Sequence, residues 1–118
     1  MLKYSSALAA LAMIGVLASP TLAGGTGEEP PKFTDELLND PAVLAAGQEI
    51  WVEQCQFCHG KNAYPGKAPK LKPRKYTPEF VYKRVTRGFK GMPAWGDVYN
   101  QEERMAVTAW IKSKDFSN

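Results

Sequence analysis

Both cysteines and the single histidine of the chain lie within one short segment, Cys55-Gln56-Phe57-Cys58-His59. On one helical turn, two cysteines three residues apart and the adjacent histidine lie close enough to meet a single flat macrocycle. C-x-x-C-H is the attachment sequence of c-type haem. The segment therefore predicts one covalent haem c, with thioethers from Cys55 and Cys58 and with His59 as one axial ligand of the iron.

Three other interpretations of the segment stay open at this point. A thioredoxin-like redox pair expects alternating strands and helices, and this chain shows no such alternation. A structural zinc site usually takes four Cys or His ligands, whereas the chain has three such residues. A disulfide between Cys55 and Cys58 would leave His59 without a role.

The first residues have the pattern of a secretory signal peptide. Lys3 gives a positive start, Ala7 to Ala18 is apolar, and Thr21-Leu22-Ala23 places small residues before a cleavage site. The apolar run is shorter than the roughly 20 residues that span a bilayer. We therefore expect residues 1–23 to be removed on export to the periplasm, with no permanent membrane anchor.

The remainder is predicted to be one small domain with a short lead-in. Residues 24–39 begin with a segment rich in Gly, Pro and Glu, which indicates a flexible N-terminal lead-in. Within it, Phe33 to Leu38 has the pattern of one helical turn capped by Thr34. Residues 40–118 form the domain itself.

Three longer helices are predicted from their capping signals. The first begins at Asp40 and ends just before the cysteine segment, the second runs from Thr77 to a stop at Gly88, and the third runs from Asn100 to near Lys114. Their inward faces comprise Val43, Gly47, Ile50 and Trp51; Phe80, Val81 and Val85; and Met105, Ala106, Ala109 and Trp110. The prolines and glycines between Cys58 and Thr77 indicate a loop. We predict an all-α fold of three main helices and loops wrapped around the haem.

The second axial ligand is predicted to be Met92. It lies in Gly91-Met92-Pro93-Ala94-Trp95-Gly96, between the second and third helices, where Pro93 stiffens the loop. A thioether on such a loop suits a haem iron, which takes a Met/His pair in cytochromes c. Met105, the other methionine after residue 23, falls in a helical repeat and is expected to pack in the core.

From about Asp40 to Lys114 the chain resembles class I cytochrome c. The resemblance rests on C-x-x-C-H-G after a first helix, on a Pro-x-Leu loop, and on G-M-P-A-W before a terminal helix with an aromatic residue. It implies that the first helix crosses the last closely where Gly47 meets Trp110. It also implies that the Pro69 carbonyl accepts a hydrogen bond from His59, although Ala68 stands where the family usually has glycine. Leu71 and Trp95 resemble residues that pack on the haem.

A haem iron with His59 and Met92 as ligands has no free site, so we expect no enzyme activity and assign no catalytic residues. The remaining role is one-electron transfer between a dehydrogenase or membrane complex and a terminal oxidase of a respiratory chain. The stretch from Trp95 to Ile111 has some likeness to cytochromes that accept electrons from quinoprotein alcohol dehydrogenases. The alternatives are a haem-based sensor or ligand-binding module in which Met92 dissociates, and a small haem peroxidase.

Charge is distributed unevenly along the chain. Residues 61–90 contain ten lysines and arginines and one acid, Glu79, whereas the rest of the chain after residue 23 has four bases and eleven acids. Such a dipole orients and accelerates encounter with an acidic partner. We therefore expect acidic-surfaced redox proteins as partners. Nucleic acid is not an expected partner of an exported haem protein, and the protein is expected to be a monomer.

Overall fold

Helices and connecting loops make up residues 28–117, the part of the chain that this computed structural model describes. The α-helices are α1 (Asp35–Asn39), α2 (Pro41–Ile50), α3 (Gln56–His59), α4 (Pro78–Arg87) and α5 (Gln101–Lys112), with a π-helical turn at Trp51–Cys55 and a 3-10 turn at Pro73–Lys75. Residues 28–117 contain no β-strand. The predicted all-α fold is confirmed.

The three long helices begin where the capping residues predicted. The Asp40 carboxylate accepts hydrogen bonds from two backbone N–H groups of the first turn of α2. At α4 the Thr77 side chain does the same for one N–H group, and Pro78 occupies the first turn. At α5 Asn100 and Glu103 form a reciprocal capping box. These side chains satisfy backbone donors that have no partner within the helix.

The close crossing of α2 and α5 depends on Gly47. A Cβ atom at this position would lie 2.0 Å from the backbone oxygen of Ala106 and 2.9 Å from the Cβ of Trp110. Since a Cβ atom does not approach a non-bonded backbone oxygen so closely, only glycine lets the two helices meet in this way. The contact implied by the resemblance to class I cytochrome c is confirmed.

A single cluster of buried side chains joins α2, α4, α5 and the C-terminal residues. Within it the rings of Trp51 and Phe116 meet edge to face with centroids 4.6 Å apart. We call this set the core cluster; it comprises Ile50, Trp51, Ala63, Val81, Val85, Val107, Trp110, Ile111 and Phe116. Three residues predicted to face inward are not buried, because Phe80 is 41% exposed and Val43 and Met105 are only half-buried.

Residues 28–39, part of the segment expected to be a flexible lead-in, contact the domain. Thr34 caps α1 as predicted, since its hydroxyl oxygen accepts a hydrogen bond from a backbone N–H. Phe33 meets the ring of Tyr82 edge to face, with centroids 5.9 Å apart. The Glu28 carboxylate lies 2.8 Å from the guanidinium of Arg104, which is buried. A buried charge needs such a partner, so this ion pair ties the segment to α5.

The predicted signal peptide, residues 1–23, lies outside the described residues. None of the helices within residues 28–117 has the length and apolar character that crossing a membrane requires.

Candidate functional site

The cysteine segment continues the first long helix, whereas the sequence predicted that the helix would end before it. After Ile50 the backbone widens into the π-helical turn, in which the N–H of Gln56 bonds the carbonyl of Trp51 five residues earlier. It then narrows again into α3, which carries Cys58 and His59. A π-helical turn holds an extra residue, so it rotates α3 relative to the face that α2 presents to α5. Cys55 closes this turn.

The loop after α3 folds back onto the cysteine segment. Gly60 ends the helix with a φ of 78°, a left-handed conformation that favours glycine. Farther along, the N–H of Ala68 donates to the carbonyl of Cys58 at 2.7 Å, and the indole N–H of Trp51 donates to the carbonyl of Lys61 at 2.8 Å. We call residues 61–76, the stretch between α3 and α4, the basic loop. The two bonds fix the first part of this loop to Trp51 and to Cys58.

His59 is held beside the core cluster. Its ring centroid lies 5.7 Å from that of Trp51, with the planes tilted by 36°. Burial lowers the pKa of the His59 imidazole, which favours the neutral form that ligates metals. Its Nδ1 atom is buried without a hydrogen-bond partner among the described residues. The bond to the Pro69 carbonyl that the resemblance implied is therefore not formed among the described residues.

Both cysteines are free thiols in different surroundings. Cys55 is half-buried and packs against the core cluster, whereas Cys58 is exposed. Burial, with a smaller contribution from the nearby Cys58, raises the pKa of the Cys55 thiol to about 12. Within residues 28–117 no group of three or more His, Cys, Asp and Glu side chains is arranged to hold a metal ion. The disulfide and zinc alternatives thus gain no support.

Met92 ends a tight turn that comes after α4. Phe89 and Met92 exchange two backbone hydrogen bonds, of 3.1 and 3.0 Å, and Lys90 between them has a φ of 53°. Gly88, with a φ of 69°, closes α4, and a Cβ there would lie 2.4 Å from the Met92 carbonyl oxygen. The next residues return to α4 through a 3.0 Å bond from the N–H of Trp95 to the carbonyl of Val85. The loop is thus fixed to the end of α4.

The cysteine segment and the loop of residues 91–96, which we call the methionine loop, meet at the core cluster. Partly buried side chains from the π-helical turn and from the loops pack against it, namely Cys55, Leu71, Tyr76, Met92, Trp95 and Tyr99. Met105 does not belong to this set. Two thiols, an imidazole with an unpartnered nitrogen and a thioether are the donors that a c-type haem uses, and half-buried apolar side chains suit its flat apolar faces. The residues present therefore fit the group.

Two residues of this region had no role in the sequence prediction of the site. Trp51 was expected only to face α5, yet it also packs against His59 and bonds the Lys61 carbonyl. Tyr99 was not singled out at all; it contacts Trp95, with ring centroids 5.9 Å apart, and its hydroxyl reaches the Glu53 carboxylate at 3.5 Å. An aromatic residue just before a capped helix is the only signal that pointed to Tyr99.

Comparison with known proteins identifies the family. The family model described as Cytochrome C oxidase, cbb3-type, subunit III matches residues 42–111. No curated protein and no solved structure gave a match to the chain. The matched residues are more than half of the chain and include Cys55, Cys58, His59 and Met92. The chain therefore belongs to this family, as a cytochrome c domain whose function is haem-based electron transfer.

Proposed function

We propose that the protein is a periplasmic one-electron carrier that binds one haem c through Cys55 and Cys58, with His59 and Met92 as the axial ligands. The observation that carries the assignment is the packing of Cys55 and Met92 against one core cluster, beside which His59 also lies. Met105 is half-buried on α5 and is not part of that packing. Met105, the alternative axial ligand, therefore does not share the core cluster with Cys55 as Met92 does.

The bound haem would supply a one-electron couple at its iron. The chain's own contribution is to hold both axial ligands on rigid supports. His59 is fixed by α3 and by Trp51, and Met92 by its paired backbone bonds to Phe89. With both positions taken by protein side chains, a substrate would have to displace one of them. We therefore propose a carrier and not an enzyme, and we assign no catalytic residues.

The protein isolated from the periplasm should have an N-terminus at or near Gly24 and carry the added mass of one haem. The apolar run before this point is too short to remain as a membrane anchor. Intact-mass spectrometry checks both features. Cys55→Ser with Cys58→Ser should leave no haem attached after denaturation in acid. A full-length chain in the membrane fraction, or a covalent haem in the double variant, would contradict the proposal.

The lysines and arginines of residues 61–90 support the proposal that the redox partner has an acidic surface. The first of the basic residues lie in the basic loop after α3. This loop lies against the cysteine segment, because the N–H of Ala68 donates a hydrogen bond to the Cys58 carbonyl. Lys67 and Lys70, on either side of this contact, are exposed. The description of the matching family names a cytochrome c oxidase subunit. We propose that electrons pass from an acidic-surfaced dehydrogenase or membrane complex to a terminal oxidase.

If the basic loop guides the donor, the rate of association should fall steeply as the ionic strength rises past roughly 0.1 M, where the Debye length is about 10 Å. Reversing the charge of Lys67 and Lys70 to Glu should slow reduction at low salt. The reduction potential should change little, since both side chains lie in solvent. Stopped-flow reduction by the physiological donor measures these rates.

The matched control is charge reversal at Lys32 and Lys114, two exposed lysines outside residues 61–90. Lys112 is unsuitable, because its Nζ donates to the carbonyls of Pro73 and Tyr76 and its reversal would disturb the loop. Slower reduction in the Lys67/Lys70 variant alone is expected. Equal slowing in both variants would show that only the net charge of the protein matters. No slowing in either variant would show that the basic loop does not guide the donor.

A further inference from the structure

A row of aromatic and cationic side chains, partly exposed, runs along α4 to the turn before Met92. The rings of Tyr76 and Phe80 are stacked with centroids 5.3 Å apart. The guanidinium carbon of Arg84 lies 4.9 Å from the centroid of Phe80 and 3.8 Å from that of Phe89. Phe89 is 51% exposed, so burial in the core does not explain its position. The Arg84 guanidinium covers the ring instead.

The contact with Arg84 is at the base of the turn that ends in Met92. Phe89 and Met92 are joined by two backbone hydrogen bonds, so the two residues move together. Lys90, between them, occupies a left-handed conformation that a lysine rarely adopts. The turn is therefore not favoured by its own sequence and needs contacts from outside it.

Two contacts outside the turn oppose its opening. The Met92 carbonyl lies so close to Gly88 that an added Cβ would come within 2.4 Å of it, and the Arg84 guanidinium lies over the Phe89 ring at a cation–π distance. The Nζ of Lys90 lies farther from the same ring, at 5.4 Å. Among the cations near Phe89, Arg84 is thus the one whose position and rigid, planar group suit stacking.

We infer that Arg84 is a positioning residue for Met92: by stacking on Phe89 it holds closed the turn that presents the thioether to the iron. The inference rests on the proposed function, in which Met92 is an axial ligand. When the turn opens, Phe89 leaves the guanidinium and Met92 leaves the iron in one movement. Arg84 therefore sets how often the ligand is released, without touching the haem.

The test measures how fast imidazole replaces Met92 in the oxidised holoprotein. At saturating imidazole this rate is limited by opening of the turn. Arg84→Gln should raise it about two- to fivefold, which corresponds to the loss of an exposed cation–π contact. Phe89→Leu should raise it similarly, and the double variant should show little further increase, because both changes remove the same contact. Arg84→Lys keeps the positive charge and should raise the rate less than Arg84→Gln does.

Lys83→Gln is the matched control, since it removes the same charge from an exposed neighbouring position on α4. Its imidazole rate should equal that of the wild type. An unchanged rate in Arg84→Gln, or an equal increase in Lys83→Gln, would overturn the inference while leaving Met92 as the ligand. If the wild-type protein lacked a sulfur-to-iron charge-transfer band, both the ligand assignment and this inference would be wrong.

Discussion

Replacement of Met92 by alanine is expected to abolish the sulfur-to-iron charge-transfer band of the oxidised protein and to lower its reduction potential. A methionine ligand stabilises the reduced iron relative to other ligands, so its loss favours the oxidised form. The backbone of the turn should persist, because its two bonds between residues 89 and 92 do not involve the side chain. Absorption spectroscopy and a potentiometric titration measure the two effects.

Met105→Ala provides the control with the same change of side chain. Met105 is half-buried on α5 and does not pack against the core cluster. Its truncation should therefore lower the free energy of unfolding by less than is typical of a buried methionine, for which the loss is about 2–5 kcal/mol. The band and the potential should be those of the wild type. A band that survives in Met92→Ala and disappears in Met105→Ala would assign the ligand to the other methionine.

Gly47→Ala is expected to destabilise the domain strongly, because the added methyl group would force α2 and α5 apart. The new Cβ would lie 2.0 Å from the Ala106 carbonyl oxygen, and a backbone atom in a helix cannot move aside alone. Separating α2 from α5 also opens the core cluster at Trp110. We expect a loss of about 3 kcal/mol or more in the free energy of unfolding, out of the about 5–15 kcal/mol typical of a domain.

The melting temperature should fall by roughly 12–24 °C, at about 4–8 °C for each kcal/mol in a domain of this size. Calorimetry or circular dichroism of the purified holoprotein measures the shift. Ala46→Ser, at the adjacent exposed position of α2, should change stability by no more than about 0.5 kcal/mol. A melting temperature for Gly47→Ala close to that of Ala46→Ser would show that the two helices separate easily.

Local signals explain why the starts of the three long helices were predicted well. Thr77 and Asn100 cap their helices through contacts within three residues along the chain. The left-handed Gly88 ends α4 for a reason that is equally local. The crossing at Gly47 was also predicted, although it joins distant segments. It came from the resemblance to class I cytochrome c and not from the pattern of residues.

The errors in the prediction concern features that the local pattern of residues leaves open. The first helix was predicted to end before Cys55, but the π-helical turn carries it on to His59. Phe80 fits the apolar face of α4, yet it stacks on Tyr76 near the surface. The Pro69 carbonyl was expected to bond His59, whose Nδ1 has no partner among the described residues. In each case the sequence nearby is compatible with both outcomes.

The donors of the site could be named from the residues alone, because two thiols and an imidazole on one helical turn have few uses besides a covalent haem. The starts of the helices could be named in the same way, since a cap acts over a few residues. The contact of the lead-in with Arg104 through Glu28, and the stacking of Arg84 on Phe89 beside the methionine turn, became visible only in the folded chain. Neither contact follows from a capping signal or from periodicity. The first depends on how the lead-in packs against α5, and the second on the direction that the chain takes after Gly88.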